Sequence, residues 1–216
     1  MQKDWNFWCS IITAGVALIA LFISCKQMAL SNKQCLFERR LKAYMLVQGM
    51  IDLCREYLKG ILTERNNGPE YSVGFIFANL TNNSYLESMA NAIEHPLQSP
   101  FHQDFLRRRE ELRKMAMECE LIFKGKEAGS YGNFVRAYEK TLAAMYRYKI
   151  VIDKMKETNN KHHMTEEALV NICGEEQVRH DLYIALEALK TAYDAAAQEN
   201  VERNIRKQIT LKFWFM

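Results

Sequence analysis

The side chains that could do chemistry in this chain are few and thinly spread. His162 and His163 stand just ahead of Glu166 and Glu167. Imidazole and carboxylate together are zinc-type ligands. The four fall, however, where a loop meets a helix that Thr165 is placed to cap, and carboxylates favour the first turn of a helix on electrostatic grounds alone. That reading accounts for the cluster without a metal. Glu176 and His180 are four residues apart, so a helix would put both on one face. An acid–base pair could use that spacing, and an ordinary surface pair uses it equally well. Arg107, Arg108 and Arg109 precede Glu110 and Glu111. They read either as a basic ligand patch or, in preference, as a solvated face with carboxylates three and four residues on. The chain contains no GxxxxGK[ST], no GxGxxG, no HExxH and no GxSxG. No catalytic, cofactor-binding or metal residue is assigned. The balance lies against an enzyme, with an unrecognised site kept as an alternative.

The element that must position everything else is Trp5–Cys25, a run of 21 residues without Asp, Glu, Lys, Arg, His or Pro. As a helix it is roughly 31 Å long, matching the hydrocarbon thickness of a bilayer. It reads as a single transmembrane helix. Trp5 and Trp8 sit at its start, where amphipathic rings favour the headgroup level. Lys26, Lys33, Arg39, Arg40 and Lys42 follow it against Glu38 alone. The positive-inside rule then places the C-terminal domain in the cytoplasm, with Arg39 and Arg40 close to the lipid surface. Competing readings are a signal peptide, a lipoprotein signal carried by Leu21–Cys25 (LFISC), and a buried core helix. The first lacks a net-basic leader and an A-x-A site. The second has Phe22 at a poor position. The third lacks a polar face. Small residues four apart, such as Ser10 with Ala14 and Thr13 with Ala17, would allow two such helices to approach closely.

Composition sets the frame around this anchor. In 216 residues there are three Pro and nine Gly, and long Leu/Ala/Met/Glu/Lys-rich segments dominate, which predicts an all-α protein. The net charge is +3. Residues 26–65 hold eight Lys/Arg against four Asp/Glu, whereas residues 66–216 hold twenty against twenty-one. The excess lies beside the anchor rather than over the domain, which argues against nucleic acid as a partner. The six cysteines show no CxxC and fall on predicted helices, a pattern that suits a reducing compartment.

Hydrophobic periodicity divides the chain into a flank (1–4), the span (5–25), a basic juxtamembrane helix (26–65), a helical bundle (66–200) and a basic, aromatic tail (201–216). The juxtamembrane helix either starts at Ser31 or Asn32 or runs straight out of the span, and Asn66–Pro69 ends it as a turn. Residues 70–95 predict two short helices broken near Thr81–Asn83. Ser99 and Pro100 read as N-cap and first residue of the next helix, which Gly125 stops. A loop over 125–132 then leads into a helix over about 131–157. There Tyr131, Tyr138, Met145 and Ile152 repeat every seven residues as a bundle or self-association seam. After a loop at Asn159–His163, Gly174 interrupts a helical stretch that ends near Asn200. The tail carries Arg203, Arg206, Lys207 and Lys212 against Glu202, with Trp214 near its end. It could return to the membrane, pack on the domain or bind a partner.

The sequence Leu36-Phe-Glu-Arg-Arg-Leu-Lys-Ala-Tyr44, set behind an apolar span and a short polar step, resembles a widespread set of small uncharacterised bacterial membrane proteins. The resemblance covers about forty residues. It implies one or two N-terminal spans and a cytosolic helical domain, in a bacterial inner membrane. Some relatives of that kind are encoded near mobile elements or phage-defence genes. No site residue comes with it. The expectation is an all-α, single-pass membrane protein with a cytosolic bundle of about four to six helices. It would act as a scaffold, sensor or interaction module without its own catalysis, with the lipid bilayer and a protein partner or second copy as its contacts. The alternative is an oligomerising effector that perturbs the bilayer.

Overall fold

One helix carries the chain from the apolar run into the core. The computed structural model describes residues 2–63, 68–71 and 73–210, the side chains of 2–6 and 73–76 excepted. Helix α1 (Gln2–Leu53) is 52 residues, about 78 Å, without a break. Its two halves have different surroundings. From Phe7 to Leu36 nearly every residue is exposed, including Ile11, Ile12, Leu18, Ile19, Leu21 and Phe22. None of the apolar window is buried against the rest of the chain. From Ala43 onward one face turns inward: Ala43, Val47, Met50, Ile51 and Cys54 recur every three or four residues and are buried. Ser31 and Asn32 therefore lie within the helix. A π-helical turn (Cys54–Leu58) adds one residue to the register, and α2 (Lys59–Thr63) completes the arm.

The remaining elements are α3 (Val73–Thr81), α4 (Glu87–Glu94), α5 (Phe101–Ile122), α6 (Lys126–His162), α7 (Glu166–Cys173), α8 (Glu175–Ala196) and α9 (Glu199–Ile209). No strand occurs among the described residues. The all-helical bundle agrees with the composition, and the two short helices broken at Asn82 agree with the polar Thr81–Asn83 step. Asn66 and Asn67 of the expected turn lie outside the described residues.

Helix α6 is the axis, and its most extensive packing is with α8 and α5. It is 37 residues long, starting five residues earlier and ending five later than the periodicity suggests. The 125–132 loop shrinks to a corner because Gly129 and Gly132 are helical. At Gly132 a Cβ would lie 3.0 Å from the Ala116 carbonyl oxygen and 2.8 Å from Glu120 Cγ. Glycine is there to let α6 meet α5, not to break the helix. The corner itself is Gly125, at φ 82°. Asn159–His162 is likewise helical, and the chain turns at His163 in the left-handed region.

Two of the expected helix ends differ in detail. Pro100, not Ser99, holds the N-cap position of α5, and the Ser99–Pro100 peptide is cis. The helical stretch expected to reach Asn200 ends at Ala196, and α9 follows as a separate helix. Other ends agree: Thr165 Oγ1 accepts from the Ala168 N–H, and Gly174 adopts φ 66° between α7 and α8.

The heptad residues Tyr131, Tyr138, Met145 and Ile152 are almost completely buried within the chain's own core. They pack intramolecularly and are not a free surface for self-association. The hydroxyls of α6 tie down the surrounding segments. Tyr138 donates to the Leu80 carbonyl at the end of α3. Tyr146 accepts from the Leu97 N–H at 2.7 Å and contacts His102 Nδ1 at 2.8 Å. Tyr148 accepts from the Glu70 N–H at 3.0 Å and donates to Glu175 at 2.6 Å.

Candidate functional site: a basic trough on the bundle

The lateral face of α6 opposite the core is left open between α5 and α8. Both flanking helices pack on α6 and hardly touch one another. The result is a trough of about 880 Å³ with α6 as its floor. The floor presents Asn133, Arg136, Ala137, Lys140, Ala143 and Arg147, a stripe at helical spacing. Arg109, Arg113 and Met117 come from α5; Asp181, Ile184, Ala185 and Ala188 come from α8. Five cations face two carboxylates.

One of those carboxylates is neutralised within the wall. Glu139, whose side chain is 4% exposed, sits 2.6 Å from Arg109 Nε and 3.1 Å from Arg113 Nη2. A buried carboxylate held by two guanidiniums is an arrangement that fixes the donors in place. Arg136 pairs with Glu120 at 2.6 Å. Lys140 and Arg147 are exposed and make no ion pair among the described residues. Thr141, buried below, donates to the Ala137 carbonyl at 2.9 Å and the Ala185 carbonyl at 3.1 Å, which holds α8 at its distance from α6. A second hollow lined by His102, Leu106, Tyr146 and Ile150 shares Arg109, Ala143 and Arg147 with the first, so the trough continues towards the start of α5.

The arginine run is thus divided three ways, since successive helical residues point about 100° apart. Arg107 pairs with Asp104 in solvent at 3.3 Å. Arg108 stacks on the Tyr85 ring at 4.4 Å and pairs with Glu111 at 2.5 Å. Arg109 alone turns to the trough. The spacing of Arg109 with Arg113, and of Arg136 with Lys140 and Arg147, was a visible signal of two basic faces. That those faces meet was not.

The residues expected at a membrane interface separate in the same way. Trp8, Lys26, Lys33 and Arg39 are exposed on α1, with Lys26 Nζ 5.5 Å from the Phe22 ring centre. Arg40 is half-buried and hydrogen-bonded to the bundle. The side chain of Trp5, and all of Trp214, lie outside the described residues. Within the tail, α9 buries Val201, Ile205 and Ile209 against the domain. Gln208 and Lys124 exchange two hydrogen bonds, at 2.7 and 3.0 Å.

No group of three metal-ligating side chains occurs among the described residues. His162, His163, Glu166 and Glu167 are all exposed around the turn at His163, and Glu176 and His180 are exposed on α8. The deeply buried carboxylate of α8 is instead Glu175, one residue earlier, which takes the Tyr148 hydroxyl and lies 3.5 Å from Arg179 Nε. It joins α8 to α6 and, through Tyr148, to Glu70. No protein-family model, curated protein or solved structure matches this chain.

Proposed function

We propose that this chain is a membrane-anchored interaction module: a helical bundle held at the cytoplasmic face of a bacterial inner membrane, without its own catalysis. The observation that carries the reading is the continuity of α1. A single helix supplies an apolar run exposed on all faces and then, about 27 Å further along, the buried face of Ala43–Cys54. A soluble protein would bear a large energetic cost for leaving an apolar run of that length exposed. A bilayer removes it.

With α1 crossing the bilayer near its normal, Phe37, the first residue packed on the core, stands about 18 Å beyond Cys25. Headgroups occupy roughly 5–8 Å of that distance. The intervening stretch, Lys26–Leu36, is exposed all round. The bundle therefore stands off the lipid on a rigid post, free to meet a partner on its sides. Among the basic residues along the post, Arg40 is engaged with the bundle rather than with lipid, and the exposed Lys26, Lys33 and Arg39 set orientation.

Fusing two reporters after Met216, one active only in the cytoplasm and one only outside, and combining this with membrane fractionation, tests the reading. Cytoplasmic signal in the membrane fraction is expected. Signal outside, or a chain recovered in the soluble fraction, overturns it.

A further inference from the structure

We infer that the trough between α5 and α8 receives an amphipathic helix of a partner protein, with a carboxylate stripe beside an apolar one. The inference rests on the reading of the chain as an interaction module and names what that module grips.

Three features select this occupant. The first is the layout of charge. Arg136 and Arg147 are eleven residues apart on α6, about 17 Å, so the cations form a line and do not converge on one point. A small anion is held by convergent donors; a line of donors matches acidic side chains repeating along a helix. The second is asymmetry. On the α5 side Arg109 and Arg113 share Glu139 and keep one positive charge in excess, whereas the α8 wall offers Ile184, which is 56% exposed, with Ala185 and Ala188 beside the single carboxylate of Asp181. An entering helix would turn carboxylates to α5 and the floor, and leucine-like residues to α8. The third is room. Alanines at 137, 143, 185 and 188 keep the floor and one wall low, which lets a helix approach at the 8–10 Å of ordinary helix packing. The floor from Asn133 to Arg147 matches about four turns of helix.

The chain's own tail beyond α9 suits the trough poorly, since it adds Lys212 and no acidic side chain. A flat lipid surface cannot reach a floor recessed between two helices.

The test uses the full chain in detergent and three labelled eighteen-residue peptides. One carries adjacent Glu and Leu stripes at helical spacing, one replaces Glu by Lys, and one scrambles the first. Fluorescence anisotropy should show saturable binding of the Glu/Leu peptide alone, weakened about tenfold or more by Lys140→Glu with Arg147→Glu, and also by Ile184→Asp. These side chains are exposed, and circular dichroism of each variant checks that the fold is kept. Equal binding of the scrambled peptide, or indifference to all the substitutions, overturns the inference. So does displacement by inorganic triphosphate at micromolar concentration, which would identify a small-anion site. A dimer of the unliganded chain that Lys140→Glu with Arg147→Glu dissociates would identify a second copy as the occupant and also overturn it. A cytoplasmic, membrane-bound chain that fails to bind the peptide sinks this inference and leaves the anchoring reading standing.

Discussion

Arg40 Nε donates to the carbonyl of Ile122 at 2.7 Å. The same guanidinium donates from Nη1 to the Gln208 carbonyl at 2.9 Å. One side chain on the long helix thus satisfies terminal carbonyls of α5 and α9, groups that a helix cannot pair internally. It is one of the points where the long helix is fastened to the bundle, beside the buried face from Ala43 onward.

Replacing Arg40 by Ala should cost about 1.5–3 kcal/mol, since hydrogen bonds from a charged donor are lost and two carbonyls are left unpaired. Thermal unfolding of the purified chain checks this. Arg40→Lys should recover only part of the loss, because a single ammonium lacks the planar fork that reaches both oxygens. A variant as stable as the parent would mean that the fastening carries no energy.

Gly132→Ala separates close packing from helix propensity. Propensity favours alanine in a helix interior by nearly 1 kcal/mol. The 3.0 Å approach to the Ala116 carbonyl oxygen opposes it, because backbone cannot swing aside as a side chain can. The net expectation is a loss of about 1–3 kcal/mol. Gly129→Ala, where nothing lies within 4 Å of the added Cβ, should stabilise instead. Denaturant unfolding of the pair gives opposite signs if the helix contact governs.

Buried tyrosines on the same helix should respond unequally to loss of the hydroxyl. Tyr131 Oη is buried without a partner, so Tyr131→Phe should be neutral or mildly stabilising. Tyr148→Phe removes a donor to a buried carboxylate and should cost about 1–3 kcal/mol. Equal effects in chemical denaturation would contradict the hydrogen-bond assignment.

Stability should fall as pH rises beyond about 10. Burial pushes the phenols of Tyr131, Tyr138 and Tyr148 upward, the last aided by its bond to Glu175. Below the ordinary phenol value both folded and unfolded chains hold these protons, and the contribution is complete. Above it the unfolded chain releases them while the folded chain does not, so unfolding gains ~1.4 kcal/mol per pH unit for each such group. Absorbance of tyrosinate near 295 nm should rise for these residues together with loss of helical circular dichroism, not before it.

Thiol labelling should distinguish the cysteines by position. Cys54 and Cys119 are buried, and desolvation raises both thiols, Cys119 to about 12. Neither should react with a maleimide until the bundle unfolds. Cys35 is exposed on the post and should react in the folded chain. Early modification of Cys119 would show that α5 is not packed as described.

Much of the architecture is local in origin and was therefore open to reading along the chain. An uninterrupted apolar run, helical periodicity, the break at Thr81–Asn83, the cap at Thr165 and the stop at Gly174 each depend on a few neighbouring residues. The glycines at 129 and 132 misled for the complementary reason. A glycine that opens a turn and one that admits a neighbouring helix look alike until the neighbour is placed. The heptad tyrosines showed that one face of α6 would be buried, and nothing in their spacing could say whether by this chain or by another copy. Long-range pairings decided the rest. Glu139 meets Arg109 across 30 residues, and Arg40 meets Gln208 across 168. The trough exists only because α5 and α8 flank α6 without closing over it. That relation is set by the whole core, and no single segment encodes it.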